Sequence, residues 1–240
     1  MRYHFFALML LLFSSQVWPT QDPETRTVND GMLVLQGVPE IPQDLVDRMR
    51  QYQSVRSASL IGWTDNGRNL YIRTRLDSTV QVHRVYNAGG SRQQVTYFAE
   101  SAGRSSRRPG SDELLIQMDR DGAEQDQLIL FNPVTASSRK LTQPNTRNRL
   151  VRWDHQGQRF AFQSTRRNGR TNDLWIMDPD RPDEARLLLQ AEPGTWWGPA
   201  DFSRDGRKLL VQQFNNVDDS RIYVMELANG DLTLVAGGEE

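Results

Sequence analysis

The chain has 240 residues, 37% of them hydrophobic, with 17 Gly, 11 Pro and a formal net charge of −1. This fits a turn-rich globular protein, one ordinary domain or a piece of a larger one, and excludes a wholly disordered chain. The near-neutral charge leaves no global field for nucleic acid or an anionic membrane, and the lack of Cys excludes disulfides, thiolate metal sites and cysteine nucleophiles.

The first predicted element is an export signal over residues 1–20. Arg2 precedes an apolar run from Phe5 to Phe13, and Ser14 and Ser15 follow it. The run is too short to span a bilayer, which takes roughly 20 apolar residues. It predicts a periplasmic or secreted chain with no membrane contact after signal removal. Residues 21–56 form an N-terminal region. Within it, residues 21–30 read as an exposed linker, and "GMLVLQG", bounded by Gly31 and Gly37, reads as a lone strand. Pro42 then opens a helix that carries Leu45, Met49 and Tyr52 on one stripe.

From residue 57 the chain repeats. "WTDNGRNLYI" from Trp63, "RRPGSDELLI" from Arg107, "WDHQGQRFAF" from Trp153 and "FSRDGRKLLV" from Phe202 each place a Gly in a polar turn before an apolar strand. The glycines are Gly67, Gly110, Gly157 and Gly206, spaced by 43, 47 and 49 residues. A tight turn between strands calls for a positive φ, which Gly adopts at no steric cost. A further strand follows each turn: "QVHRVY" at Gln81, "QLILFN" at Gln127, "DLWIMD" at Asp173 and "RIYVME" at Arg221. A polar turn and a short closing strand end each unit: "QQVT", "RKLT", "ARLLL" and "DLTLV". An aromatic or apolar strand is expected before each Gly turn.

Four strands in about 40–50 residues is the period of a β-propeller blade. Such a sheet cannot bury both faces alone, and stacking around an axis solves that. The predicted fold is all-β: a partial propeller of four blades of four antiparallel strands, at about 57–98, 99–143, 144–191 and 192–236, preceded by a short helix. A Greek-key sandwich would not place four matched units in register.

These residues resemble the N-terminal propeller of bacterial exported serine peptidases of the prolyl oligopeptidase family. The resemblance rests on "DGMLVLQGVPEIPQDLVDRMRQYQSVRSASLIGW", "QVHRVYNAGGSRQQVTYF", "DRDGAEQDQLILFNP", "STRRNGRTNDLWIMDPDRP" and "FSRDGRKLLVQQFNNVDDSRIYVMELANG", across residues 30–236. The opening helix and the Asp119, Gly122, Glu124, Gln127 string are its more specific parts; TolB-like propellers share the blade motifs. In that family the propeller caps an α/β-hydrolase domain with a G-x-S-x-G elbow. No G-x-S-x-G occurs here, so the peptidase activity transfers to no residue of this chain. The resemblance implies a truncated or split chain whose hydrolase is encoded downstream.

The remaining chemistry is sparse. Of three His, His4 falls in the signal, His83 within a strand and His155 in a turn, so no serine triad is expected. Two separated His without Cys make no zinc site. "DRDG" at Asp119 opens like a calcium loop, but Ala123 and Leu130 stand where ligands are required. Asp218 with Asp219, and Glu239 with Glu240, are adjacent pairs and cannot flank a cleft. No catalytic residue, metal or cofactor is expected. Three Arg clusters lie in loops: Arg104, Arg107 and Arg108; Arg147, Arg149 and Arg152; Arg166, Arg167 and Arg170. The last is the candidate contact for a partner or substrate, since a planar guanidinium can clamp a carboxylate. Trp63, Trp153, Trp175, Trp196 and Trp197 read as packing between blades.

Two functions follow. One is the non-catalytic, substrate-gating propeller of a prolyl oligopeptidase family peptidase, with a peptide substrate or a hydrolase domain as partner. The alternative is a stand-alone periplasmic TolB-like module that binds a periplasmic protein.

Overall fold

The structure, a computed structural model, describes residues 24–238. The expected export signal, with His4, lies outside the described residues, as do Glu239 and Glu240. The chain divides after Glu40 into two compact units.

The first unit is a two-stranded hairpin. β1 (Thr25–Val28) pairs antiparallel with β2 (Leu33–Gln36), Val28 opposite Leu33. Residues 25–28 were expected to be linker. Thr25, Thr27 and Val28 are β-formers, and the turn between the strands takes positive φ at Asn29, Asp30 and Gly31. The predicted lone strand therefore has a partner.

The second unit opens with α1 (Gln43–Gln53), as the Pro42 signal predicts. None of its residues is buried, and Leu45, Met49 and Tyr52 are exposed. Four antiparallel sheets follow, each a meander in sequence order. Blade 1 holds β3 (Ala58–Trp63), β4 (Leu70–Arg75), β5 (Val80–Val85) and β6 (Arg92–Gln94). Blade 2 holds β7 (Ser105–Arg107), β8 (Leu114–Met118), β9 (Gln127–Asn132) and β10 (Ser137–Lys140). Blade 3 holds β11 (Asn148–Trp153), β12 (Phe160–Ser164), β13 (Asp173–Met177) and β14 (Arg186–Leu189). Blade 4 holds β15 (Trp196–Phe202), β16 (Lys208–Phe214), β17 (Ser220–Glu226) and β18 (Leu232–Ala236). This is a propeller-like, all-β architecture with a short helix before it.

One expectation fails in blade 2. Its first strand, β7, is Ser-Ser-Arg rather than apolar. Its hydroxyls are used: Trp153 Nε1 of blade 3 donates to Ser106 Oγ at 3.1 Å.

The core lies between blades. Strand period 2 sends alternate residues of the second and third strands to opposite neighbours. Tyr71 and Val82 of blade 1 meet Leu114, Ile116 and Phe131 of blade 2. Leu115, Leu128 and Leu130 of blade 2 meet Phe160, Phe162 and Met177 of blade 3. Ala161, Leu174 and Ile176 of blade 3 meet Leu209, Val211 and Met225 of blade 4. The cross-strand register enforces this sorting. Leu114 faces Phe131, Phe160 faces Met177 and Leu209 faces Met225, each on the side toward the preceding blade. Each such side chain contributes about 1.5–3 kcal/mol by burial. Trp153 packs edge-on against Phe160, with centroids 5.1 Å apart, and Trp197 lies in the joint between blades 3 and 4. Trp196 instead stacks on Phe214 of its own blade at 5.3 Å, and Trp63 is exposed.

The glycine turns knit the joints from outside. All four have positive φ, from +67° to +70°. Arg108 Nε of blade 2 donates to the Gly157 carbonyl at 2.7 Å, and Arg159 of blade 3 donates to the Gly206 carbonyl. His155 Nε2 donates to the Phe202 carbonyl at 3.0 Å, so its tautomer carries the proton on Nε2. Asp65 of blade 1 pairs with Arg107 of blade 2 at 3.0 Å.

Candidate functional site

Antiparallel meanders put the glycine turns at one end of every blade and the loops between second and third strands at the other. Those loops are residues 76–79, 119–126, 165–172 and 215–219. The candidate arginines belong to the third loop.

The structure splits that triplet. Arg167 makes a two-point pair with Asp173, Nε to Oδ2 at 2.7 Å and Nη2 to Oδ1 at 3.1 Å, and also reaches Thr171 Oγ1 at 2.8 Å. Asp173 is fully buried and accepts the Ala191 amide at 2.8 Å. The hydrogen bonds it donates to Asp173 hold the Arg167 guanidinium even more firmly charged than usual. Arg166 lies over the Trp175 ring at 4.8 Å, and burial pushes its pKa down. Arg170 is exposed, with its amide bound to Asn168 Oδ1 at 3.0 Å. Arg167 thus braces its own loop, and Arg170 projects to solvent.

The other clusters divide in the same way. Arg149 pairs with Asp126, and Arg147 reaches Asn172 Oδ1 at 3.2 Å. Arg152 donates to the Ala200 carbonyl of blade 4 at 2.9 Å. Arg107 and Arg108 serve the joints.

Several clefts open at the loop end. One, of about 270 Å³, is bounded by Glu124, Gln125, Asn145, Arg147, Thr165 and Gly169, between the second and third loops. A wider cleft, of about 610 Å³, lies between the end of α1 and the first loop. Arg50, Arg56 and Arg75 line it with Asp77. Its walls are tied by Arg75, which donates to the Gln53 carbonyl, and by Thr74 Oγ1, which donates to the Ser57 carbonyl at 2.7 Å. The chemistry offered is guanidinium and amide, suited to carboxylates and peptide carbonyls.

No nucleophile–base pair occupies either cleft. His83 is buried, its Nδ1 donates to the Gln81 carbonyl at 3.1 Å, and burial lowers its pKa, so it is a neutral imidazole. Asp119 accepts the amides of Arg120, Glu124 and Gln125 at 2.9–3.1 Å, which makes "DRDG" a self-capped turn. Among the described residues no group of three His, Asp or Glu could hold a metal ion.

One repeated device escaped the sequence reading. A polar residue at the first or second position of a third strand clasps the chain leaving the fourth. Gln81 Oε1 accepts Thr96 Oγ1 at 2.7 Å, Gln127 Oε1 accepts Thr142 Oγ1 at 2.9 Å, and Asp173 takes the Ala191 amide. Blade 4 departs from this, with Arg221 paired to Asp219 at 3.0 Å. The first letters of "QVHRVY", "QLILFN" and "DLWIMD" carried the signal.

No family model and no curated protein matches the chain in sequence. Solved structures do match it in fold. A prolyl endopeptidase, one of two analysed for inter-domain dynamics, superposes with a TM-score of 0.64 at 11% identity, over 93% of this chain and 40% of that one. Prolyl oligopeptidase B from Galerina marginata, bound to a 35mer substrate, gives 0.61 at 14% identity, over 80% and 32%. TolB from Acinetobacter baumannii gives 0.57 at 14% identity, over 77% and 45%. The chain therefore spans less than half the length of these proteins. At such identities the likeness establishes the fold, a propeller related to those of prolyl oligopeptidases and TolB.

Proposed function

We propose that this chain is a non-catalytic propeller that restricts and orients peptide substrates for a serine hydrolase domain of the prolyl oligopeptidase type. The observation that carries the reading is the extent of the prolyl endopeptidase match, which takes in 93% of this chain and only 40% of the other. The guanidinium-lined clefts at the loop end supply a means of holding peptide carboxylates and carbonyls. In this reading Arg170 and the Arg50, Arg56 and Arg75 cleft meet substrate or hydrolase. The basic and apolar N-terminus around Arg2 and Phe5 to Phe13 motivates a periplasmic or secreted location.

The test is a mixing experiment. The purified chain alone should turn over no fluorogenic prolyl peptide and take no label from a serine-directed phosphonate. Added to the hydrolase domain of its own genome that carries a G-x-S-x-G elbow, it should suppress cleavage of an unfolded protein substrate while sparing a short peptide. An unchanged ratio of the two activities would overturn the gating role. The TolB superposition supports a second reading, a periplasmic interaction module. That reading predicts no effect on either activity and stable capture of a periplasmic protein at the same loop end.

A further inference from the structure

Half-buried arginines of the blades have an acceptor or an aromatic ring, with one exception. Arg107 pairs with Asp65, Arg108 with Glu113 and Asp180, and Arg149 with Asp126, while Arg84 lies over Tyr71 and Tyr86. The exception is Arg73 on β4. It is half-buried, and no hydrogen bond or ion pair engages its side chain among the described residues. Burial lowers its pKa, and the like charge of Arg104 lowers it further. Arg104 has no carboxylate partner among the described residues either. Two guanidinium groups therefore lie near each other without a counter-charge.

The register fixes where Arg73 points. It stands opposite Ser59 of β3 and Val82 of β5. Opposed residues share a face of the sheet, and Val82 belongs to the core between blades 1 and 2. Arg73 thus faces blade 2, at the loop-end rim of that joint. A cleft of about 460 Å³ opens there, bounded by Arg73, Arg75, Ser57, Ser59, Val55 and Val80. That volume falls in the range of ligand sites, about 300–1,000 Å³. The wall formed by the connection to blade 2 is built in. Ala102 is sealed in the joint core, its amide donates to the Val80 carbonyl at 2.7 Å, and the Val80 amide donates to Ser101 Oγ at 3.1 Å. At Gly103 the backbone runs so close to β8 that a Cβ would lie 2.3 Å from the Gln117 carbonyl oxygen.

We propose that this cleft is a carboxylate-binding subsite for an extended peptide, with Arg73 as its anchor. A guanidinium fork matches the two oxygens of a carboxylate, and no acidic side chain bounds the cleft among the described residues. Val55, Val80 and Ala102 add apolar contact that an inorganic anion cannot use. Gln53 and Arg75 bound this cleft and also the one lined by Arg50, Arg56 and Asp77, so a chain anchored at Arg73 has a path onward along the loop end. The carboxylate is that of the peptide C-terminus or of an Asp or Glu side chain. The inference rests on the gating reading in taking the ligand to be a peptide.

Isothermal titration of the full chain tests it with three probes: an acetylated Ser-Ala-Ser-Ala-Ala peptide with a free C-terminus, the same peptide as its amide, and the amide with Asp at the centre. At least one carboxylate-bearing probe should bind 10-fold or more tighter than the plain amide, and which one does identifies the source of the carboxylate. Arg73→Gln should weaken that binding by about 10–100-fold, the scale of hydrogen bonds to a charged group. Its circular dichroism and urea midpoint should match the wild type, since its guanidinium holds no partner. Arg68→Gln removes an equal charge from the exposed glycine turn at the other end of the blade and should leave the affinity unchanged. In the wild type, the bound probe should also protect Arg73 from phenylglyoxal, read by mass spectrometry, which needs no variant. Equal affinity for all three probes, inorganic phosphate binding as tightly as the peptide, an undiminished Arg73→Gln, an equal loss in Arg68→Gln, or no protection of Arg73 would each overturn the proposal. The titration contains no hydrolase, so its failure leaves the gating ratio to be judged separately, and a failed gating ratio leaves the binding result standing.

Discussion

The joint between blades 2 and 3 and the outer face of blade 4 use the same positions of the repeat, and their surroundings differ completely. In the joint, Leu115, Leu128 and Leu130 are sealed under Phe160, Phe162 and Met177. On blade 4, no following blade covers Leu210, Ile222 and Val224 among the described residues. β18 is exposed along its whole length, and Leu234 and Val235 stand in solvent beside it. A blade is therefore half a structural unit: its strands form locally, but its core exists only where a neighbour supplies the other half.

The largest effects that would break this comparison are in the joints. Phe162→Ala removes a fully buried ring and should cost about 3–5 kcal/mol in urea unfolding, against less than about 1 kcal/mol for the exposed Trp63→Ala in the isolated chain. Similar costs for the two would refute the distinction between sealed and open faces. Asp173→Ala should cost about 1–3 kcal/mol, because it leaves the buried Ala191 amide without its acceptor. Asp173→Asn should recover part of that loss by retaining an acceptor for Ala191.

The glycine turns sharpen the comparison. Gly157 and Gly67 share a φ of +67°. A Cβ at Gly157 would overlap the Pro109 carbonyl of blade 2, whereas one at Gly67 meets open space. Gly67→Ala should cost only the left-handed backbone penalty, about 1–2 kcal/mol. Gly157→Ala should cost more, since blade 2 must also retreat. Equal midpoints for the two variants would show that the joint does not constrain the turn.

A smaller effect concerns pH. The hydrogen bond from Arg108, reinforced by Arg139, holds the Asp180 carboxyl below the usual range. A depressed folded-state pKa gives stability that is present above the unfolded value, about 3.9, and lost as pH falls through the folded value. The gap between wild type and Asp180→Asn should be constant near pH 6–7 and shrink below about pH 4. As Asp180 is largely exposed, that gap should stay under about 1 kcal/mol. The smallest effect belongs to Arg170→Ala, within about 0.5 kcal/mol of wild type. That makes it the variant of choice for probing partner contact without disturbing the fold.

Much of the blade was legible because its signals are local. The four Gly turns, the "QLILFN" type of strand and the Pro42 helix start each depend on a few neighbouring residues. The Arg166, Arg167 and Arg170 cluster was legible as a cluster, but not in its parts. Nothing in "TRRNGRTND" tells that Arg167 turns inward to Asp173 while Arg170 turns outward. The polar β7 was misread because its hydroxyl serves Trp153, a residue 47 positions away. The hairpin of β1 and β2 was missed because a short strand with a polar turn looks like a linker until its partner is known.

By itself the sequence determined the period, the number of four-stranded units and the positive-φ turns, since backbone conformation and alternation follow from nearest neighbours. Only the tertiary structure decided which face of each strand meets which blade and which arginines are spent as braces. The joints depend on side chains brought together across 47–49 residues of chain, and even the Arg167 brace, only six residues long, depends on the buried setting that the fold gives Asp173. Burial and ion pairing there are properties of the pair, and neither partner's local sequence contains them.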